Sequence, residues 1–177
     1  SKSPSNQDEA PIVAANAEIV FLHHSTGGVV WSGGVSSWLD SYNQKSGTSY
    51  RITETIYPKA SPYGWNNYPY DYWNIWVNHA GNNQYMEEDT LEILTRSYNV
   101  IMWKHCFPVG NLQLDSGSPD ITSSTKSIEN YKLQYAALKE KMLSFPNNVF
   151  IVWTGAALVQ DATSEEKATK TREFFQW

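Results

Sequence analysis

At 177 residues, with 41% apolar and 18% charged side chains, the chain has the length and composition of one globular domain. Its net charge of −5 and lack of a basic cluster argue against nucleic acid or an anionic membrane surface as partner. The single cysteine, Cys106, excludes an internal disulfide framework and a multi-cysteine zinc site, and no apolar run approaches the roughly 18–20 residues of a membrane span.

The chain opens on polar residues, Ser1 to Glu9, then Pro11 and an Ala-rich stretch. Residues 1–17 read as a flexible tail left after processing, which points to an exported protein, periplasmic, cell-surface or extracellular. Residues 18–177 read as one domain.

Glu18–Leu22 is the first apolar run and predicts a buried strand. It ends at His23-His24-Ser25-Thr26-Gly27-Gly28, so it delivers a hydroxyl to the rim of a sheet. Backbone N–H groups flanked by glycines can there approach a developing negative charge. Val35, Trp38, Leu39 and Tyr42 mark a helix that Gly47 closes. A weaker strand follows over Tyr50–Tyr57. Tyr63 to His79 is rich in Asn, Tyr and Trp. Amphipathic rings beside amides suit the apolar faces and hydroxyl edges of sugars, and they equally suit a loop layer stapled to the core.

Met86 to Ser97 predicts a helix whose first turn holds Glu87, Glu88 and Asp89, where the helix dipole favours them. Asn99–Trp103 predicts a second strong strand. A long connection over 104–124 follows, of a length that is often functional. Lys126 to Leu143 carries Ile128, Tyr131, Tyr135, Leu138 and Met142 at steps of three and four, a helical period. Asn148–Trp153 is the last strand, and Thr163-Ser164-Glu165-Glu166 begins a last helix with capping-box spacing.

Strands thus alternate with helices, which implies a mostly parallel sheet covered on both faces. Ligands of such sheets bind beyond the carboxyl ends of the strands. That rim collects His23, His24, Ser25, Lys104, His105, Cys106, Thr154 and Gly155. Ser25 is the candidate nucleophile, His24 and His105 are candidate bases, and Lys104 is a candidate positive charge near an oxyanion. His23, His24, His105 and Cys106 could alternatively hold a metal, though their spacing matches no recognised ligand pattern, and a Cys106–His105 thiol site is a further option.

These residues resemble the SGNH (GDSL-like) hydrolases, serine esterases and acylhydrolases on a flavodoxin-like sheet. The resemblance is to a bacterial branch with His-His-Ser-x-Gly after the first strand, here His23-His24-Ser25-Thr26-Gly27, and a Lys-x-Cys-Phe-Pro segment, here Lys104-His105-Cys106-Phe107-Pro108, with Asn111 soon after. The tail Thr154-Gly155-Ala156-Ala157 and the series Ala168, Arg172, Phe174, Trp177 extend it over most of 18–177. It implies a three-layer α/β/α fold with a mostly parallel sheet, Ser25 as nucleophile, Gly64 as an oxyanion donor, and either Asn111 or the position of Cys106 as the family's amide. It implies no cofactor. It also implies an Asp-x-x-His segment and a further strand and helix near the C-terminus. No histidine follows His105 in this sequence, so the domain is expected to continue.

The expected activity is hydrolysis of a small or carbohydrate ester, with His24, Lys104, Trp65, Tyr68 and Trp73 contacting substrate. The alternatives are a non-catalytic glycan-binding module, using Trp65, Tyr68, Tyr70, Tyr72, Trp73 and Trp76, and a metal-dependent hydrolase.

Overall fold

The computed structural model describes residues 13–177; the tail expected over 1–17 lies largely outside them. Within 13–17 the chain is already tied down. The Ser49 N–H donates to the Ala15 carbonyl and the Arg51 N–H to that of Ala17, and Ala17 is buried.

Among the described residues, four parallel strands form one sheet in the order β2-β1-β3-β4. They are β1 (Glu18–His23), β2 (Arg51–Ile56), β3 (Val100–Trp103) and β4 (Val149–Val152). Between and after them run α1 (Thr26–Ser32), α2 (Val35–Ser46), α3 (Pro69–Trp73), α4 (Leu91–Ser97), α5 (Ile128–Leu143) and α6 (Glu165–Gln176). This is the expected α/β architecture with parallel strands. The order places the two central strands, β1 and β3, side by side, with Val20 opposite Ile101 and Leu22 opposite Trp103. The chain leaves β1 towards one edge and returns through β3 towards the other. The crevice beyond their carboxyl ends is therefore the topological switch point, where open α/β sheets bind ligands.

Alternation along β1 and β3 sorts the core. Val20, Leu22, Ile101 and Trp103 join Tyr57, Tyr72, Trp76, Leu91 and Leu138 in one buried cluster beneath α3, α4 and α5. Phe21 and His23 lie on the opposite face, where the Phe21 ring stacks on Trp153 at 5.1 Å. Continuous apolar runs had suggested strands covered on both sides. β4 departs from this: it is an edge strand, with Ile151 and Val152 exposed.

Three helical segments differ from the sequence reading. α1 begins immediately after Ser25, in a Gly-rich stretch that predicts only a turn. The aromatic segment is not a loop throughout. Pro69, preset for a first helical turn, opens α3, and a single wider helical turn continues it over Asn74–Asn78. The helix expected from Met86 begins only at Leu91. Met86 and Glu87 have φ of 47° and 63°, which a helix cannot contain. Glu87, Glu88 and Asp89 therefore lie outside its first turn. Glu88 is instead buried, with its carboxylate 2.6 Å from the Lys59 N–H.

The other boundaries follow local chemistry. Gly47, at φ 66°, ends α2 by donating its N–H to Asn43. Ser127 and Ser164 cap α5 and α6, accepting from the Asn130 and Lys167 N–H groups.

Candidate active site

The site begins with the backbone of Ser25. This residue sits between the last residue of β1 and the first of α1, with φ 45° and ψ −109°. That conformation is costly for any residue with a Cβ, on the order of 1–3 kcal/mol. The turn is tight because α1 doubles back over the strand it has just left. The Gly27 N–H donates to the His24 carbonyl and the Gly28 N–H to that of Ser25. A Cβ on Gly27 would fall 2.4 Å from the His23 Cβ, so only glycine permits this approach. Ser25 is exposed, and among the described residues its hydroxyl and its N–H have no hydrogen-bond partner.

Lys104 follows β3 and reaches across the switch point. Its Nζ donates to the Thr26 hydroxyl at 3.0 Å, beside Ser25 in the chain. The residue is only 5% exposed, and no carboxylate among the described residues pairs with it. Burial holds its ammonium below the usual lysine range, and the nearby Cys106 thiol works in the opposite direction.

All four histidines are engaged elsewhere. His23 is buried beneath Gly27, and its Nε2 lies 2.9 Å from the Glu54 carboxylate on β2. His24 is buried, its Nε2 bonded to the Pro58 carbonyl and its ring stacked on Trp65 at 3.8 Å. Burial, together with the neighbouring His23 and Lys104 charges, lowers its pKa against the opposing pull of the Pro58 carbonyl. His79 lies on the far helical turn, stacked on Tyr85.

The structure corrects the expectation for His105. The residue is 1% exposed in the layer between β3 and α5, where its Nε2 meets the Tyr135 hydroxyl at 2.7 Å. Burial, reinforced by Lys104, pushes its pKa down to about 3, too weakly basic to take a serine proton efficiently near neutral pH. The metal alternative meets a related obstacle. Among the described residues no three His, Cys, Asp or Glu side chains converge on a metal position, and His23, His24 and His105 point to three separate partners.

The loop carrying Gly64 does reach the site, since its neighbour Trp65 lies against His24. Gly64 is exposed, at φ 78°. Neither expected position for the family's amide supplies one to Ser25. Asn111 is turned towards α6, where its Oδ1 accepts from the Lys167 ammonium at 2.7 Å. Cys106 is buried, with its N–H donated to the Asn67 side chain; a thiol nucleophile there would be shielded from substrate.

The ligand-stacking role expected of Tyr68 and Trp73 is not compatible with their placement, because both rings are buried. Tyr68 packs with Val109, Leu112 and Tyr131, and Trp73 belongs to the main core. Tyr72 and Trp76 are fully buried too. Of the proposed sugar platform, Trp65 and Tyr70 keep partial exposure.

Sequence reasoning missed the residues that brace the rim. Asn67, fully buried, donates from Nδ2 to the Tyr57 carbonyl after β2 and accepts the Cys106 N–H after β3. Asp71 in turn accepts the Asn66 and Asn67 N–H groups. Asn67 two residues ahead of a Pro-initiated helix, with Asp71 in that helix's first turn, was the available signal for a capped turn. Glu54, the only acidic residue in an otherwise β-prone run, was the corresponding signal for a rim partner.

Comparison with protein-family models, curated proteins and solved structures finds no match to this chain.

Proposed function

We propose that this protein is a serine acylhydrolase that cleaves a small ester, with Ser25 as nucleophile. The observation that carries the reading is the strained backbone of Ser25 at a strand-to-helix turn, at the carboxyl end of a central strand. Acyl-transfer serines are presented on such turns because the turn lifts the hydroxyl clear of the sheet. Strain retained at an exposed polar residue also points to function, since any glycine would relieve it.

In the proposed reaction Ser25 Oγ attacks the ester carbonyl and forms an acyl-enzyme, which water then hydrolyses. The unpartnered Ser25 N–H and the Gly64 N–H are the donors for the oxyanion, one such donor being worth roughly 3 kcal/mol. The resemblance to SGNH hydrolases agrees with this assignment. A carbohydrate alcohol is the favoured substrate class, resting on half-buried Trp65 stacked on His24, the chain neighbour of Ser25. An exported location is part of the same proposal.

The test is acylation by p-nitrophenyl acetate together with covalent labelling by an alkyl fluorophosphonate. Both are expected in the wild type and lost in Ser25→Ala. Turnover or labelling that survives the substitution would overturn the assignment.

A further inference from the structure

Three residues at the end of β2 join the rim to a buried acid. We propose that Glu88 is a positioning residue for the site: through the backbone of Lys59 and Pro58 it fixes the stack of Trp65 on His24, the chain neighbour of Ser25. The consequence for substrate rests on the reading of Trp65 as a surface for the alcohol of the ester.

Three observations support this. The first is a line of direct contacts. The Glu88 carboxylate accepts the Lys59 N–H at 2.6 Å. The Pro58 carbonyl, one residue earlier, accepts from His24 Nε2, and the His24 ring stacks on Trp65 at 3.8 Å. The second is that neighbouring contacts reinforce this line. Tyr57 donates its hydroxyl to the Asp89 carbonyl at 2.7 Å, and the Lys59 ammonium donates to the Glu87 carbonyl at 2.9 Å. Residues 57–59 are thus clasped to 87–89 on one side and to His24 on the other. The third is the backbone that turns Glu88 inward. Tyr85 and Glu88 exchange both N–H···O bonds, and the two residues between them, Met86 and Glu87, take φ of 47° and 63°. Tight turns of this form favour glycine and asparagine, so strain is retained here. Of the three consecutive acids, only Glu88 is buried.

Among the described residues no cation pairs with the Glu88 carboxylate. The Lys59 ammonium lies instead 3.8 Å from that of Glu87. Tyr57 and Tyr98 line the same small cavity as Glu88, and Tyr72 on α3 couples to it. Burial raises the Glu88 pKa to about 7. The Lys59 N–H and ammonium pull it down, while Asp89 and Glu87 push it up as like charges. Freed from the clasp, the carboxyl ionises near its ordinary 4.5. The clasp is therefore tightest below 4.5 and weakens as pH rises to about 7, opening more by up to about tenfold per pH unit. Trp65 loses its fixed place as the clasp opens, and substrate affinity falls with it.

The experiment follows two signals by NMR across pH in the wild type and in Glu88→Gln: hydrogen exchange of the Lys59 amide, and the Trp65 indole N–H, assigned from Trp65→Phe. Glutamine keeps the acceptor and the shape but cannot ionise. In the wild type, Lys59 protection corrected for intrinsic exchange is expected to fall by up to about tenfold per pH unit, levelling at about 7. The Trp65 indole should shift through the same inflection. In Glu88→Gln both signals should lose it, with a thermal melt to confirm folding. Wild-type Lys59 protection that does not change with pH would overturn the clasp, and it needs no variant to fold. A Trp65 signal that titrates only below 6.5, where His24 itself does, would overturn the link from Glu88 to the stack. An inflection at about 7 that survives in Glu88→Gln would overturn Glu88 as its source. Hydrolysis of glucose pentaacetate tests the consequence for substrate. With rising pH the wild-type KM is expected to rise relative to that of Glu88→Gln, while kcat keeps one pH profile in both. No turnover of this ester or of p-nitrophenyl acetate would overturn the serine assignment, and the spectra would still decide Glu88.

Discussion

Replacing Ser25 by glycine is expected to make the protein more stable while abolishing its activity. The Cβ of Ser25 makes φ 45°, ψ −109° costly, by about 1–3 kcal/mol. Glycine removes that cost and adds about 0.4–1 kcal/mol of unfolded-state entropy. Nothing else is lost, because the Ser25 hydroxyl has no hydrogen-bond partner among the described residues. The balance favours glycine by about 1 kcal/mol, which for a domain of this size raises Tm by about 2–4 °C. Alanine keeps the Cβ and its strain, so Ser25→Ala should melt with the wild type, within ~0.5 kcal/mol. Calorimetry on the three proteins at one pH measures the difference directly. A glycine variant no more stable than the alanine variant would refute strain at this turn, and with it the main support for the nucleophile.

Three other substitutions have expected outcomes. Gly27→Ala forces a Cβ to within 2.4 Å of the His23 side chain and should cost at least ~1–3 kcal/mol, with loss of activity as the turn shifts. Gly28→Ala meets only the His23 Cε1, at 3.7 Å, and should stabilise α1 by about 0.5–1 kcal/mol; urea melts of the two variants report both. Asn67→Leu removes the amide donor from the Tyr57 carbonyl and the acceptor from the Cys106 N–H, and should cost about 1–3 kcal/mol in the same assay.

The dependence of stability on pH should show two opposing groups. His105, lowered to about 3 from 6.5 when folded, leaves the unfolded chain holding more protons between those values, so stability is lost as pH falls through that window. Glu88, raised to about 7 from 4.5, does the reverse: its contribution is complete below 4.5 and lost as pH rises through 7. Between about 4.5 and 6.5 the two slopes, each up to about 1.4 kcal/mol per pH unit, offset one another. Glu88→Gln should expose the His105 slope, seen as stability rising with pH in denaturant melts; a flat profile in that variant would contradict the burial of His105 as a neutral ring.

The strands, and the place of Ser25 just beyond the end of one, were legible because they depend on local pattern. A continuous apolar run such as Ile19 to Leu22, stopped by polar residues, has few alternatives to a buried strand. α1 was not legible, because Gly27 and Gly28 disfavour a helix locally. It forms because a close crossing over His23 requires glycine at just that point, which is a tertiary condition. α3 was hidden by Asn and Pro, residues shared by turns and helix starts, although Tyr72, Trp73 and Trp76 already had helical spacing. The false start at Met86 came from reading three acids as a helix N-terminus, when their backbone folds Glu88 inward against Lys59.

At the site, sequence order placed Lys104 and His105 on the correct rim. It could not say that successive residues leaving β3 point to opposite faces. That alternation sends Lys104 to Thr26, the chain neighbour of Ser25, and His105 to Tyr135.

The brace at Asn67 bears on how this scaffold tolerates change. One buried amide side chain links the ends of β2 and β3, the strands on either side of the one that carries Ser25. The chain beyond each anchor, residues 59–64 on one side and 111–124 on the other, is mostly exposed. Insertions or grafted sequences in those outer segments would leave the spacing of the strand ends around Ser25 unchanged. The outer segments can therefore be exchanged while the strand ends stay where they are.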